Sequence, residues 1–431
     1  MFIHQKTKTM KTNTALLTFL FSFFSLTIFA QTPLYFGIIS HNETSDTLQY
    51  ATSATDYDSI ATLVKELCDL IIEKQAKYNM QVDANLIFGA LNFDDAANSP
   101  NDLLEWAANS PYIEVDGHNH FHPQFNPYNY ADLAYLLDSC GVQLYRNILG
   151  GVSYANLNIG GINITENWTQ YSTPKQGFTF TDFFWQADIV WGTATPGHIA
   201  DYTAFGVWKP AGGSSPEEFG MHDPNQTLTT IGGGCKEDVG FVIQQQTHTL
   251  AHSTDEIVSN ILSIADYINE QPQGPNDFYT LNMLINFRDI PAIPHFADSI
   301  AAIIDGIQAY VDEGKIVWAT LGEKYDLWYA MHPDPNDYFN HYCDELILET
   351  SAPETPQTAL TIYPNPADEV IYLQGEFPPN TQAAIYNMPG IKVMDFTLEN
   401  NTELDISTLP AGAYIIRAEG VILEKPFFLK R

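Results

Sequence analysis

The sequence predicts an α/β fold, an irregular (β/α) barrel of about seven strands followed by a small all-β sandwich. Three observations predict it. From residue 33 to about 340, short apolar runs alternate with apolar stripes at helical spacing, the pattern of parallel strands joined by helices. Residues 346–358 turn acidic and rich in Pro and Thr, the texture of a linker. Residues 359–431 then read as short alternating strands punctuated by Pro389-Gly390 and Pro410-Ala411-Gly412.

Leu34–Ser40 is an apolar run of buried-strand length. Ile60, Leu63, Val64, Leu67, Ile71 and Ile72 form a helical stripe, with Asp58 or Ser59 available as N-cap. Leu86–Ala90 reads as the second strand, Asp102–Asn109 as a helix and Tyr112–Val115 as the third strand. Tyr130–Cys140 reads as a helix closed by Gly141, and Val142–Tyr145 as the next strand. Residues 150–247 lack periodicity and are too long for one loop, which predicts short strands and site-forming loops. Stripes at Ile257–Ile268 and Ile300–Val311 predict two more helices, the second ending at Gly314 ahead of a strand at Ile316–Ala319. Six strands are expected in the tail: Leu360–Tyr363, Val370–Leu373, Ala383–Tyr386, Ile391–Phe396, Ala413–Ala418 and Pro426–Leu429.

The chain has 431 residues, 45% of them hydrophobic, enough to build a large core. Its 18 Lys and Arg face 52 Asp and Glu, a net charge of −34 that repels phosphate backbones and anionic lipid and argues against nucleic-acid partners. Residues 1–30 read as a signal peptide: Lys6, Lys8 and Lys11 precede the apolar stretch Ala15–Phe29, and Ala30 offers a cleavage point, with Met1 or Met10 as the start. No later segment is long and apolar enough to span a membrane. The mature chain is then a barrel over residues 31–345, the linker, and the sandwich. Cys68, Cys140, Cys235 and Cys343 are not in Cys-x-x-Cys spacing; they are either buried thiols or two disulfides with three possible pairings.

The chemistry-bearing residues concentrate in Glu114-Val115-Asp116-Gly117-His118-Asn119-His120-Phe121-His122-Pro123. Three imidazoles in five residues just past a strand can converge on a metal ion at the carboxyl end of a sheet. In a parallel barrel all carboxyl ends share one face. The turn His41-Asn42-Glu43, with Asp46 behind it, can therefore meet this loop. Glu43 or Asp46 would complete a set of two histidines and one carboxylate, and His41 would act as acid or base. Trp185, Trp191, Tyr202, Phe205 and Trp208 are candidates for stacking on sugar rings.

Residues 33–260 resemble the polysaccharide deacetylase (NodB-homology) family of the glycoside hydrolase/deacetylase barrel superfamily. Glu114, Val115, His118, His122 and Pro123 fall on its Glu-Ile-Gly-x-His-Ser/Thr-x-x-His-Pro segment. The resemblance implies a divalent metal, zinc by ligand type, on His118 and His122, with His120 as an extra and Glu43 in place of the family's first-strand aspartate. It also implies catalytic roles for Arg146, which follows Leu144-Tyr145, and for His252 in Thr249-Leu250-Ala251-His252. The Asp-Asp pair that ends the family's first strand is replaced here by His41-Asn42-Glu43, while Phe93-Asp94-Asp95 follows the second expected strand.

The tail resembles the type IX secretion sorting domain of Bacteroidetes, through Tyr363-Pro364-Asn365-Pro366, Tyr386-Asn387-x-x-Gly390, Leu409-Pro410-Ala411-Gly412-x-Tyr414 and Phe428-Leu429-Lys430-Arg431. The combined expectation is a secreted or cell-surface, metal-dependent hydrolase that removes acyl groups from a glycan and is handled by the type IX machinery. The alternatives are a non-catalytic glycan-binding protein on a degenerate deacetylase barrel, or another metallohydrolase. Asp116-Gly117-His118-Asn119-His120 also resembles the His-x-His of amidohydrolase barrels.

Overall fold

In chain order the computed structural model contains β1 (Leu34–Asn42), α1 (Ala54–Lys74), β2 (Tyr78–Val82), α2 (Ala84–Phe93), α3 (Leu103–Ala108), β3 (Ile113–His118), α4 (Tyr130–Ser139) and β4 (Ile148–Gly150). The middle region holds β5 (Asn158–Ile159), β6 (Ile162–Asn163), β7 (Lys175–Gln176), β8 (Phe184–Trp185), β9 (Ile189–Val190), β10 (Ala204–Trp208), α5 (Pro216–Gly220), β11 (Thr229–Ile231), β12 (Ile243–Gln244) and β13 (Thr249–Leu250). Then come α6 (Thr254–Glu270), β14 (Tyr279–Asn286), α7 (Phe296–Asp312), β15 (Ile316–Trp318), α8 (Leu321–Met331) and β16 (Phe339–Tyr342). The residues described are 32–42, 50–94, 103–119, 126–152, 158–159, 162–163, 168–191, 204–213, 216–234, 239, 243–244, 249–250, 252–272, 274–287, 290, 293, 295–342, 361–364, 367–375, 381–387, 392–418 and 424–429. Two compact units divide the chain at Leu346/Ile347.

Among the described residues, seven parallel strands stand in the order β14-β1-β2-β3-β4-β9-β11; β10 and β16 continue the sheet antiparallel, and β15 pairs with the start of β1. Its ends come together where Asn282 N donates to Gly233 O (3.1 Å), and where Thr280 Oγ1 donates to Gly232 O (2.7 Å) and accepts from Gly206 N (2.8 Å). The result is a nearly closed barrel, the irregular (β/α) architecture expected. Ile39, Ile148, Ile189, Trp191, Val207, Ile231, Leu284 and Leu321 fill its interior. Each such side chain contributes about 1.5–3 kcal/mol on burial.

The helices lie where their stripes place them. Ile257, Ile261, Ile264 and Ile268 of α6, and Ile300, Ile303, Ile304 and Ile307 of α7, are buried. The cap of α1 is Ser53, five or six residues ahead of the expected Asp58 or Ser59, because its hydroxyl accepts from Asp56 N (3.3 Å).

Two expected strands are corrected. Leu86–Ala90 lies inside α2, started by Asp83, whose carboxylate accepts from Leu86 N (2.9 Å). A short apolar run fits a buried helix as well as a strand. The second strand is β2, whose Asn79 and Gln81 interrupt the apolar pattern. Val142–Tyr145 is not a strand either; the chain re-enters the sheet only at Ile148. Strand β14 and helix α8 had no counterpart in the sequence reading. Cys68 and Cys140 are buried thiols, and burial pushes the Cys68 thiol up; the other two cysteines lie outside the described residues.

The second unit is the expected sandwich: β17 (Thr361–Tyr363), β18 (Val370–Gln374) and β21 (Asn401–Asp405) form one sheet, and β19 (Thr381–Asn387), β20 (Lys392–Leu398), β22 (Gly412–Ala418) and β23 (Glu424–Leu429) the other. Ile371, Leu373, Ile385, Leu398, Ile406 and Ile416 form its core. The strand Asn401–Asp405 has no counterpart in the sequence reading; Leu404 is its one apolar residue, too little for a period-two signal.

Candidate functional site at the carboxyl end of the barrel

The parallel register places Asn286, His41, Gln81 and Asp116 side by side on β14, β1, β2 and β3. Residues in one register row of a parallel sheet face the same side. His118 follows two residues later, on the same face of β3. The imidazoles of His41 and His118 meet with ring centroids 4.2 Å apart at 43°, and Trp191 stands edge-on to His41 at 5.5 Å. Both histidines are 1% exposed.

Two glycines, the last residue of β4 and the one after it, make this packing possible. Gly151 has φ +74°, and a Cβ there would lie 2.3 Å from His118 Cε1; a Cβ on Gly150 would lie 2.6 Å from Gln81 Oε1 and from Gly117 O. Tyr130 Oη donates to Gly150 O, Asn119 Nδ2 to Tyr128 O (3.1 Å) and Asn126 Nδ2 to Asn119 Oδ1 (2.8 Å), which fixes the backbone beside His118.

Below the histidines runs a buried polar column. Asn79 Nδ2 donates to Asp116 Oδ2 (2.7 Å) and Glu114 Oε2 (3.0 Å), and its Oδ1 accepts from Leu321 N (2.8 Å). Gly322 N donates to the same Glu114 oxygen (3.0 Å), so the positive end of α8 faces the carboxylates. Burial raises Asp116 well above the usual carboxylate range, with the Glu114 charge adding and the Asn79 bond opposing. Burial also raises Glu114, against the bonds from Thr320, Gly322 and Asn79. Lys324 is fully buried, donating Nζ to Leu281 O (3.1 Å) and to Asn282 Oδ1; burial lowers it to about 7, with the charges of Glu323 and Glu114 opposing.

Among the described residues, buried polar atoms at this end without a hydrogen-bond partner include Gln81 Nε2 and Oε1, Asp116 Oδ1, Asn42 Nδ2 and Trp191 Nε1. Buried polar atoms ordinarily find partners, so a cluster of this kind marks a place where water or a ligand is hydrogen-bonded.

Of the residues singled out in the sequence, His41 and His118 are brought together. Glu43, Asp46, His120 and His122 lie outside the described residues. His252 sits just ahead of Ser253, the N-cap of α6. Arg146 is corrected: it precedes β4, at the amino end of a strand, where it pairs with Asp326 and lies 5.1 Å from the Tyr325 ring. Its expected position after a strand fails because the strand itself begins later. Trp185, Trp191, Phe205 and Trp208 are core side chains, 0–7% exposed, not surface platforms, and Tyr202 lies outside the described residues. Asp94 is structural: it accepts from Tyr57 Oη (2.6 Å) and Leu103 N (2.7 Å).

Among the described residues, no three His, Cys, Asp or Glu side chains form a group able to hold a metal ion. His41 and His118 supply two imidazoles, and the described residues do not complete a coordination set.

Asn79, Gln81, Lys324 and the Gly150-Gly151 pair were not singled out in the sequence, and Trp191 was singled out only for sugar stacking. The signal for the first two was the alternation Tyr78-Asn79-Met80-Gln81-Val82, a strand pattern with its polar face turned into the barrel.

The family of secretion system C-terminal sorting domains matches residues 361–422. This tail directs the chain through type IX secretion to the cell surface or exterior. A crystal structure described as a candidate glycoside hydrolase/deacetylase from Parabacteroides distasonis is similar over 93% of this chain and 85% of its own, at 9% identity and a TM-score of 0.46. No curated protein matches. No described helix is long and apolar enough to cross a membrane.

Proposed function

We propose that this exported chain is a hydrolase acting on carbohydrate, removing acyl (acetyl) groups from a glycan, with its reaction centre at the His41–His118 pair. One observation carries the reading: two buried imidazoles from different strands meet at the carboxyl end of the barrel, beside buried polar atoms that the described residues leave unpartnered. His41 would take a proton from the attacking water and return it to the leaving oxygen or nitrogen of the sugar. Gln81 Nε2 offers a hydrogen bond to the acyl oxygen as charge develops there. Asp116 Oδ1 offers a second hydrogen-bonding position for the water.

A zinc-type ion on His118, with ligands from Glu43, His120 and His122, is part of the proposal. Bound, it would supply Lewis acidity and an activated water. The roles given to His41, Gln81 and Asp116 do not depend on it.

The test is acetate release from acetylated polysaccharides, together with metal content, for the wild-type protein and His118→Ala. The reading expects release by the wild type and about one equivalent of metal per chain, both lost in the variant. A folded variant with undiminished acetate release would overturn it.

A further inference from the structure

At the amino end of the barrel, opposite the histidine pair, one imidazole ties three segments together. Strand β10 runs antiparallel to β11, so its last residue, Trp208, and Lys209 after it stand at that end. His222, in the connection between α5 and β11, accepts there from the backbone N–H of Lys209 at Nδ1 (3.1 Å). Its Nε2 lies 3.0 Å from Pro335 O, in the connection between α8 and β16. The ring stacks on Tyr338 of that same connection, with centroids 4.4 Å apart and planes at 10°. A β-bridge between Pro210 and His222, and the bond from Asp223 N to Lys209 O (2.9 Å), hold the α5–β11 connection against the end of β10.

These contacts dictate the protonation state of the ring. A nitrogen that accepts from an amide N–H carries no proton, so the neutral ring holds its proton on Nε2 and donates it to Pro335 O. A second proton has only Nδ1 to go to, where it would meet the Lys209 N–H, donor against donor. The backbone geometry therefore fits the neutral imidazole and rejects the imidazolium. Burial holds this histidine below its usual range, and the Lys209 charge adds to that, against the bond to Pro335 and the charge of Asp223. The other ionisable groups of the packed segments are Glu217 and Glu218 of α5, and Asp334, Asp337 and Tyr338 of the α8–β16 connection. Asp223 and Asp334 each accept, within their own turns, from the backbone and side-chain amides of Asn225 and Asn336.

We propose that His222 is an acid-sensitive latch on the edge of the barrel sheet formed by β10 and β16. Neutral, it clamps the α5–β11 and α8–β16 connections to the end of β10. Protonated at Nδ1, it gives up the Lys209 N–H and frees the α8–β16 connection. Strand β16 is the element this release reaches first. It begins at the residue after Tyr338, is half-exposed along its length, and pairs with β10 alone at the end of the sheet. The sign follows from the neutral form being the one the fold binds: the contribution is fully present above pH 6.5, the ordinary histidine value, and is lost as pH falls below it. The latch and the histidine pair lie at opposite ends of the barrel, and the proposal does not depend on the hydrolase reading.

The test is hydrogen–deuterium exchange of the full chain between about pH 7.5 and about pH 5, corrected for the intrinsic pH dependence of exchange, for wild type, His222→Phe and His222→Gln. Phenylalanine keeps the stack on Tyr338 without either bond, and glutamine keeps one donor and one acceptor; neither titrates. In the wild type, protection of residues 332–342 is expected to fall about tenfold on acidification, the scale of one lost hydrogen bond, with that of β1 unchanged. In both variants protection of 332–342 should be independent of pH, and in His222→Phe it should be low throughout.

Protection of 332–342 that stays constant in the wild type over this pH range would overturn the latch. So would an equal fall in His222→Gln, which would assign the titration to another group such as Asp334 or Asp337. If neither His222 variant folds, Lys209→Gln decides. Removing the cation beside the ring makes protonation easier, so the midpoint of opening should move to higher pH. An unmoved midpoint would overturn the latch.

Discussion

His41 and His118 lie on different strands with β2 between them, yet their ring centroids come within 4.2 Å, the planes tilted by 43°, inside the barrel. The contact exists because Gly151, at φ +74°, leaves room for the His118 ring where any side chain would collide. Gly151→Ala should therefore cost both left-handed backbone strain and the position of His118. Gly314 is the matched control: it has the same φ of +74°, but a Cβ there meets nothing within 4 Å. Gly314→Ala is expected to lose roughly 1 kcal/mol in urea unfolding from backbone strain alone, and Gly151→Ala clearly more. Equal losses would show that His118 gains nothing from the glycine.

Asn79 joins two buried carboxylates to the start of α8 through one side chain. Asn79→Leu is close in volume but leaves Asp116 Oδ2 and Leu321 N without this bond. The expected destabilisation is about 2–4 kcal/mol, read as a lowered urea midpoint. A loss below 1 kcal/mol would mean that the column reorganises at little cost.

Lys324 gives the stability curve an alkaline arm. Its ammonium is lowered from 10.5 to about 7 in the fold. The unfolded chain therefore binds more protons between those values, and stability rises with pH across that window. The contribution is fully present above about 10.5 and is lost as pH falls through about 7. Lys324→Met should flatten the rise between pH 7 and 10 in chemical denaturation, whatever its effect at a single pH. An unchanged slope would place the titration elsewhere.

Asp132→Ala removes the acceptor shared by the amides of Phe178, Thr179, Phe180 and Asn129. It should cost about 3 kcal/mol and make residues 177–183 the first site of limited proteolysis. Resistance equal to wild type would show that the β7–β8 hairpin is held by the packing of its rings on Tyr135 instead.

The parts of this fold that were legible in the sequence are those with strong periodicity. The stripes of α6 and α7 and the apolar run of β1 each bury a continuous face. The tail was legible through its turn motifs. Strands β2 and β4 were missed for opposite reasons. Polar Asn79 and Gln81 face the barrel interior, which disguises β2, and only three residues of β4 pair. At the site, the clustering of imidazoles drew attention to His118, and the end of the first strand to His41. Their partners Gln81, Trp191 and Gly151 come from elements far apart in sequence, so only the register brings them together.

The measurement that bears most directly on the central claim is the initial rate of acetate release from an acetylated neutral polysaccharide. It would compare wild type with His41→Gln and His118→Gln, each checked for wild-type circular dichroism. If the imidazole pair is the reaction centre, each variant should fall by about 10²-fold or more, the usual size of a lost acid–base group. Folded variants that release acetate at the wild-type rate would contradict the claim and move the chemistry away from His41 and His118.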